Sequence, residues 1–254
     1  MLLEWFSVLF FLLLLTKWQE LGRLLRHALA LIILDRGFVI LAQISVPVLM
    51  FVAYNFAHNN TNHLIIFGLI LYQMLNYSAI LYRLYSLKIN NFPDIVSCYF
   101  FGAKRLWHLF LLLVPIVILV AILIGALKNT EYLMFRWLGV NFFSNSIGTF
   151  ITCLFFGVFS FFTYFLFVLV IIEKLSVYKA VVINFKIMKK LSITLLIQLT
   201  ILMMLPGPWI NIRNLPLAIG VYLWLLIGTS LSVVIYHEQK ILHNINPNSL
   251  ATTR

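Results

Sequence analysis

Few side chains in this chain have the type and spacing that chemistry needs. His237-Glu238 followed by His243 has the composition of a zinc-protease helix. That motif requires the second histidine four residues after the first, so that both imidazoles share one helix face; here the step is six. His58 and His63 flank a polar turn, HNNTNH, and read as exposed turn residues. Cys98 and Cys153 fall in different segments without CxxC or metal-type spacing, as expected of two unpaired thiols. The chain has no Walker loop, no GxSxG and no paired acids within its apolar stretches. No catalytic residue, cofactor or metal is expected.

Two sets of side chains are left that can recognise something. The first is four amides inside apolar runs: Gln43, Gln73, Asn76 and Gln198. An amide in such a setting hydrogen-bonds a neighbouring helix or, alternatively, a solute without charge. The second is basic. Glu173–Lys190 holds five of the chain's 18 Lys and Arg, and charge-free runs flank it, Gly139–Ile172 and Leu191–Ile212. At 100° per residue, Lys179, Lys186 and Lys190 form a narrow stripe, with Val177, Val181, Phe185 and Met188 opposite and Leu175 and Ile183 intruding on the basic side. Lysines on such a helix reach lipid headgroups by snorkelling. Lys189, Lys104 and Arg105, at similar positions before apolar runs, complete the candidate headgroup contacts.

The elements that must carry these residues are membrane-spanning helices. The chain is 63% hydrophobic and 10% charged, with a mean hydropathy of +1.04; a soluble domain is about 25% charged. Apolar runs of roughly 18 residues or more recur throughout, and none alternates as a barrel strand does. The expected fold is an all-α polytopic bundle. Spans are predicted near 37–57, 64–82, 106–127, 150–172, 191–205 and 215–236, within a domain covering 19–254. The apolar segment 1–18 either spans or lies in the interface, which would make a seventh span; it lacks the basic start and cleavage site of a signal peptide.

Lys17–Arg36 places Arg23, Arg26 and His27 on one side of an interfacial helix. Pro93-Asp94 marks a second helix start, running to about Arg105, and Lys128–Leu138 reads as a turn. All but three of the 18 Lys and Arg (Lys128, Arg136 and Arg213) fall in the loops at 17–36, 83–105 and 173–190 or in the tail after 236. The positive-inside rule makes that side cytoplasmic, C-terminus included. The formal net charge of +11 is thus directed at a lipid surface, with anionic lipids as expected partners and nucleic acid excluded. The rhythm of basic helix, span, turn and span occurs three times, either as an internal repeat or as the pattern any such protein with short loops produces.

Phe167-Val168-Leu169-Val170-Ile171-Ile172-Glu173-Lys174-Leu175-Ser176-Val177-Tyr178-Lys179-Ala180 resembles the span-to-helix join of the YciC-type family of bacterial inner-membrane proteins. The six-span order over about 19–236 is similar too. Two features depart from that pattern: Pro206-Gly207 falls between spans five and six, and the apolar start is extra. The resemblance implies a bacterial inner-membrane protein with a role in envelope upkeep, and no catalytic residues. The expected function is a non-enzymatic organiser of lipids, of a membrane protein partner or of a second copy of itself. The alternative is a transporter or permease subunit for a neutral or lipidic solute.

Overall fold

The computed structural model describes residues 18–56, 63–138, 165–204 and 214–242. Among them every regular element is an α-helix: α1 (Trp18–Leu34), α2 (Arg36–Phe56), α3 (His63–Lys88), α4 (Ile95–Leu138), α5 (165–171), α6 (Val177–Lys190), α7 (Ile193–Met204) and α8 (Leu215–Leu242). Among the described residues, three helices are long and apolar enough to cross a membrane, over Arg36–Ala53, Ile95–Ile116 and Leu215–Ile241. The apolar start, the turn at 57–62, most of the expected fourth span and the stretch 205–213 lie outside the described residues, as do Cys153 and His243.

α8 is the hub. Its middle, from Leu226 to Tyr236, is buried apart from the half-buried Ile227, and α1, α2 and α3 all pack on it. Small and hydroxylic residues let the neighbours approach, and their hydroxyls are satisfied by backbone carbonyls. Thr229 donates to Leu225 at 3.0 Å, Ser232 to Thr229 at 2.7 Å, and Ser230 across to Ala28 of α1 at 2.8 Å. α1 rests on α8 through Leu21, Leu24, Ala28, Leu31 and Ile32, the buried quarter of an otherwise exposed helix. Asp35 breaks the helix between α1 and α2, where the sequence led the interfacial helix straight into the span at Gly37.

α3 and α4 form a tight antiparallel pair. The reversal after Lys88 uses Asn90 at φ 58°, a left-handed conformation that asparagine tolerates. Asp94 then caps α4, accepting the Ser97 amide at 3.1 Å and the Ser97 hydroxyl. Gly102 lets the backbones meet: a Cβ there would lie 3.0 Å from the Leu75 carbonyl oxygen and 3.2 Å from the Ser78 Cβ. Tyr82 and Phe101 stack at 3.9 Å across the same interface.

Several sequence-based boundaries are corrected. α4 runs unbroken for 44 residues, so there is no separate short helix ending at Arg105, and Lys128–Leu138 is helix rather than turn. Charged side chains do not interrupt a helix by themselves, and no glycine or proline stands at 103–107 to do so. Pro115 is accommodated inside. At 1.5 Å per residue α4 is about 66 Å long, against roughly 30 Å of hydrocarbon. α3 continues past the expected end at Tyr82 to Lys88. α7, in the expected fifth span, has 12 residues, about 18 Å of helix.

Candidate functional site

Three acids and their basic partners gather where α1, α3 and α8 meet. Arg83, near the end of α3, pairs with Asp35 at 2.5 Å and donates to the Pro93 carbonyl, tying the α1–α2 joint to the α3–α4 reversal. Arg23 of α1 grips Glu238 of α8 with two hydrogen bonds, 2.7 and 2.8 Å, and His27 Nδ1 lies 3.6 Å from the same carboxylate. The hydrogen bond from Arg23 holds its guanidinium above its ordinary pKa. Lys240 reaches Glu173, just past α5, at 2.6 Å. These three acids, spread from residue 35 to residue 238, latch five segments together.

α6 follows Glu173 in the chain, and its faces differ from the sequence expectation. The buried side is Ala180, Ile183, Asn184 and Ile187. Ile183, expected to intrude on the basic stripe, is 4% exposed, whereas Phe185, placed on the apolar side, is 54% exposed. The helical wheel located one apolar face where the fold uses two. One packs on the bundle; the other, Tyr178 at 78%, Val182 at 38% and Phe185, points away from it. Lys179, Lys186, Lys189 and Lys190 are exposed alongside that outer face.

The start of α4 repeats the combination. Phe92, Val96, Phe100 and Trp107 are exposed, and Lys104 lies over the Phe100 ring at 4.3 Å. Arg105 is half-buried above Phe101, 5.8 Å from its centroid. The six basic candidates thus sit on two helices, α4 and α6, that touch each other.

The amides are brought together by a cavity of about 610 Å³ among α2, α3, α4, α5 and α8. Gln43, Gln73 and Asn76 line it; Gln198, buried on α7, is not among its lining residues. Two of the three amides are already engaged in holding helices. Gln43 donates to the Tyr222 carbonyl at 3.0 Å. Asn76 donates to the Ala42 carbonyl at 2.6 Å and accepts the Tyr99 hydroxyl at 2.7 Å. The Gln73 carboxamide makes no hydrogen bond among the described residues. Among the described residues no acid, base or histidine lines the cavity. Its further polar lining, Tyr77, Tyr222 and Thr229, escapes a sequence reading because hydroxyls on apolar helices carry no distinguishing spacing.

Among the described residues no group of three or more His, Cys, Asp or Glu could hold a metal ion. Cys98 is buried, and burial pushes its thiol away from reactivity. Compared with protein-family models, curated proteins and solved structures, the chain matches none.

Proposed function

We propose that the chain is a six-span protein of a bacterial inner membrane that organises lipid at the cytoplasmic leaflet, directly or together with a protein partner or a second copy, without catalysing a reaction. The observation that carries this reading is the outer face of α6. Exposed Tyr178, Val182 and Phe185 beside Lys179, Lys186, Lys189 and Lys190 suit a boundary where rings enter the acyl region and ammonium groups meet phosphates. The start of α4 offers the same chemistry next to it. Kinship with the YciC-type family belongs to the same proposal and rests on the join at Phe167–Ala180.

Native mass spectrometry of gently extracted protein tests it. Anionic phospholipid should remain bound to the wild type and fall several-fold in Lys186→Glu/Lys190→Glu. Equal retention by the two proteins would sink the idea. The topology has its own test: in intact cells, an impermeant thiol reagent should label Asn60→Cys and leave Lys186→Cys untouched.

A second reading, passage of a neutral or lipidic solute through the bundle, is supported by the cavity and its amides. It predicts that Gln73→Ala slows the movement of such a solute across reconstituted vesicles.

A further inference from the structure

The cavity has a composition that selects among occupants. Its walls are mainly hydrocarbon, including Val46, Leu109 and Leu113. Its volume falls within the roughly 300–1,000 Å³ typical of sites for small organic ligands. With no charged side chain among the described lining residues, a charged ligand group would be desolvated and unpaired against them, which favours an uncharged occupant. Dry empty cavities are apolar throughout, whereas this one contains a carboxamide with a donor and an acceptor to spare, Gln73.

The way in is also visible. Ile70 on α3 and Phe110, Val114 and Ile118 on α4 line the cavity and are exposed as well, Ile70 by 46% and Ile118 by 54%. The cavity therefore opens sideways between α3 and α4. Gln73 precedes Arg83 by ten residues on one continuous helix, about 15 Å along its axis. If the ionic cluster marks the membrane boundary, that depth is about half of the roughly 30 Å hydrocarbon layer. The opening then faces acyl chains, out of reach of a phosphate headgroup.

We propose that the cavity holds one uncharged lipid drawn laterally from the bilayer, its hydrocarbon against α4 and a carbonyl or hydroxyl hydrogen-bonded to the Gln73 carboxamide. This rests on the membrane-spanning reading and adds to it the class of lipid handled. The anionic lipids of the α6 face and the neutral lipid of the cavity occupy separate sites.

A diacylglycerol carrying a diazirine in one acyl chain is the probe, added to protein reconstituted in nanodiscs, with the same chain on phosphatidylglycerol for comparison. After illumination, label from diacylglycerol should concentrate on residues 67–77 and 109–118 and be displaced by unlabelled diacylglycerol. Loss of one neutral hydrogen bond in Gln73→Leu should reduce it roughly two- to tenfold. Filling the cavity with Leu113→Trp should abolish it; Val46→Phe, from the opposite wall, serves should that variant fail to fold. Label spread evenly over the outer helix surfaces, unchanged label in Gln73→Leu and the filled variant, or equal concentration of the phosphatidylglycerol probe would each overturn the proposal. Alkaline carbonate extraction separates the two levels. A chain that leaves the membrane refutes the spanning reading and this inference with it. A chain that stays, with scattered label, refutes only the inference.

Discussion

Arg23 and Glu238 lie 215 residues apart in sequence and meet in a two-pronged ion pair at 2.7 and 2.8 Å. The pair fixes the start of α1 to the end of the central helix. About half of the Arg23 side chain is solvent-accessible, so screening limits what the contact contributes. Glu238→Gln should therefore cost about 0.5–1 kcal/mol in detergent-solubilised protein. The reversed pair Arg23→Glu/Glu238→Arg should recover part of it, measured by thermal unfolding.

Asn76 is a stronger case because both ends of its amide are engaged at 1% exposure. Asn76→Leu strands the Tyr99 hydroxyl and takes one donor from the Ala42 carbonyl, which still accepts the Ser45 hydroxyl. The expected loss is about 2 kcal/mol, within the cost of unsatisfied buried groups and near the upper measurements for interhelical bonds in membranes. Tyr99→Phe, which removes one of the two bonds, should lose less in the same unfolding assay.

Gly102 sets two opposing effects against each other. Alanine improves helix propensity by about 1 kcal/mol. Its methyl, however, meets the Leu75 carbonyl oxygen at 3.0 Å, and overpacking against backbone costs about 1–3 kcal/mol. Gly102→Ala should lose up to about 2 kcal/mol, and Gly102→Leu should separate α3 from α4. Unfolding midpoints, together with crosslinking of cysteines placed at Tyr82 and Phe101, check both.

Asp94 supplies a pH dependence outside the spans. The Ser97 hydroxyl, then the Ser97 amide, hold its carboxyl below the ordinary 3.8. A depressed folded pKa favours the folded state fully above 3.8, and the contribution disappears as the pH falls through the lower folded value. Asp94→Asn should be less stable than the wild type at neutral pH, and the gap should narrow on acidification below 3.8. A constant gap across that range would contradict the capping role.

Charge-free runs and clustered lysines were enough to expect an all-helical chain with helices long and apolar enough to cross a membrane. Hydropathy is a property of each segment alone, so the apolar stretches of α2 and α8 were located to within a few residues, whereas the span predicted at 106–127 overlaps only the second half of the one at Ile95–Ile116. The start of α4 at Asp94 was legible because caps are local chemistry, whereas the break at Asp35 was not. The continuity of α4 through Arg105 and beyond Lys128 was not legible, because charge in a sequence marks exposure and not a helix end.

The bundle itself required tertiary structure. A helical wheel gives the angle between Ile183 and Phe185, but only packing decides that Ile183 faces the bundle while Phe185 faces outward. Four amides in apolar runs are equivalent on paper. Folding joins Asn76 to Ala42 and Tyr99, ties Gln43 to Tyr222, buries Gln198 away from the cavity and leaves Gln73 within it without a hydrogen bond among the described residues. Those differences depend on which helices meet, and the contacts that determine it span tens to hundreds of residues. Sequence by itself determined that the chain is rich in helices suited to an apolar medium; the long-range packing of α2, α3, α4 and α8 decided where a largely apolar cavity with a few amides opens among them.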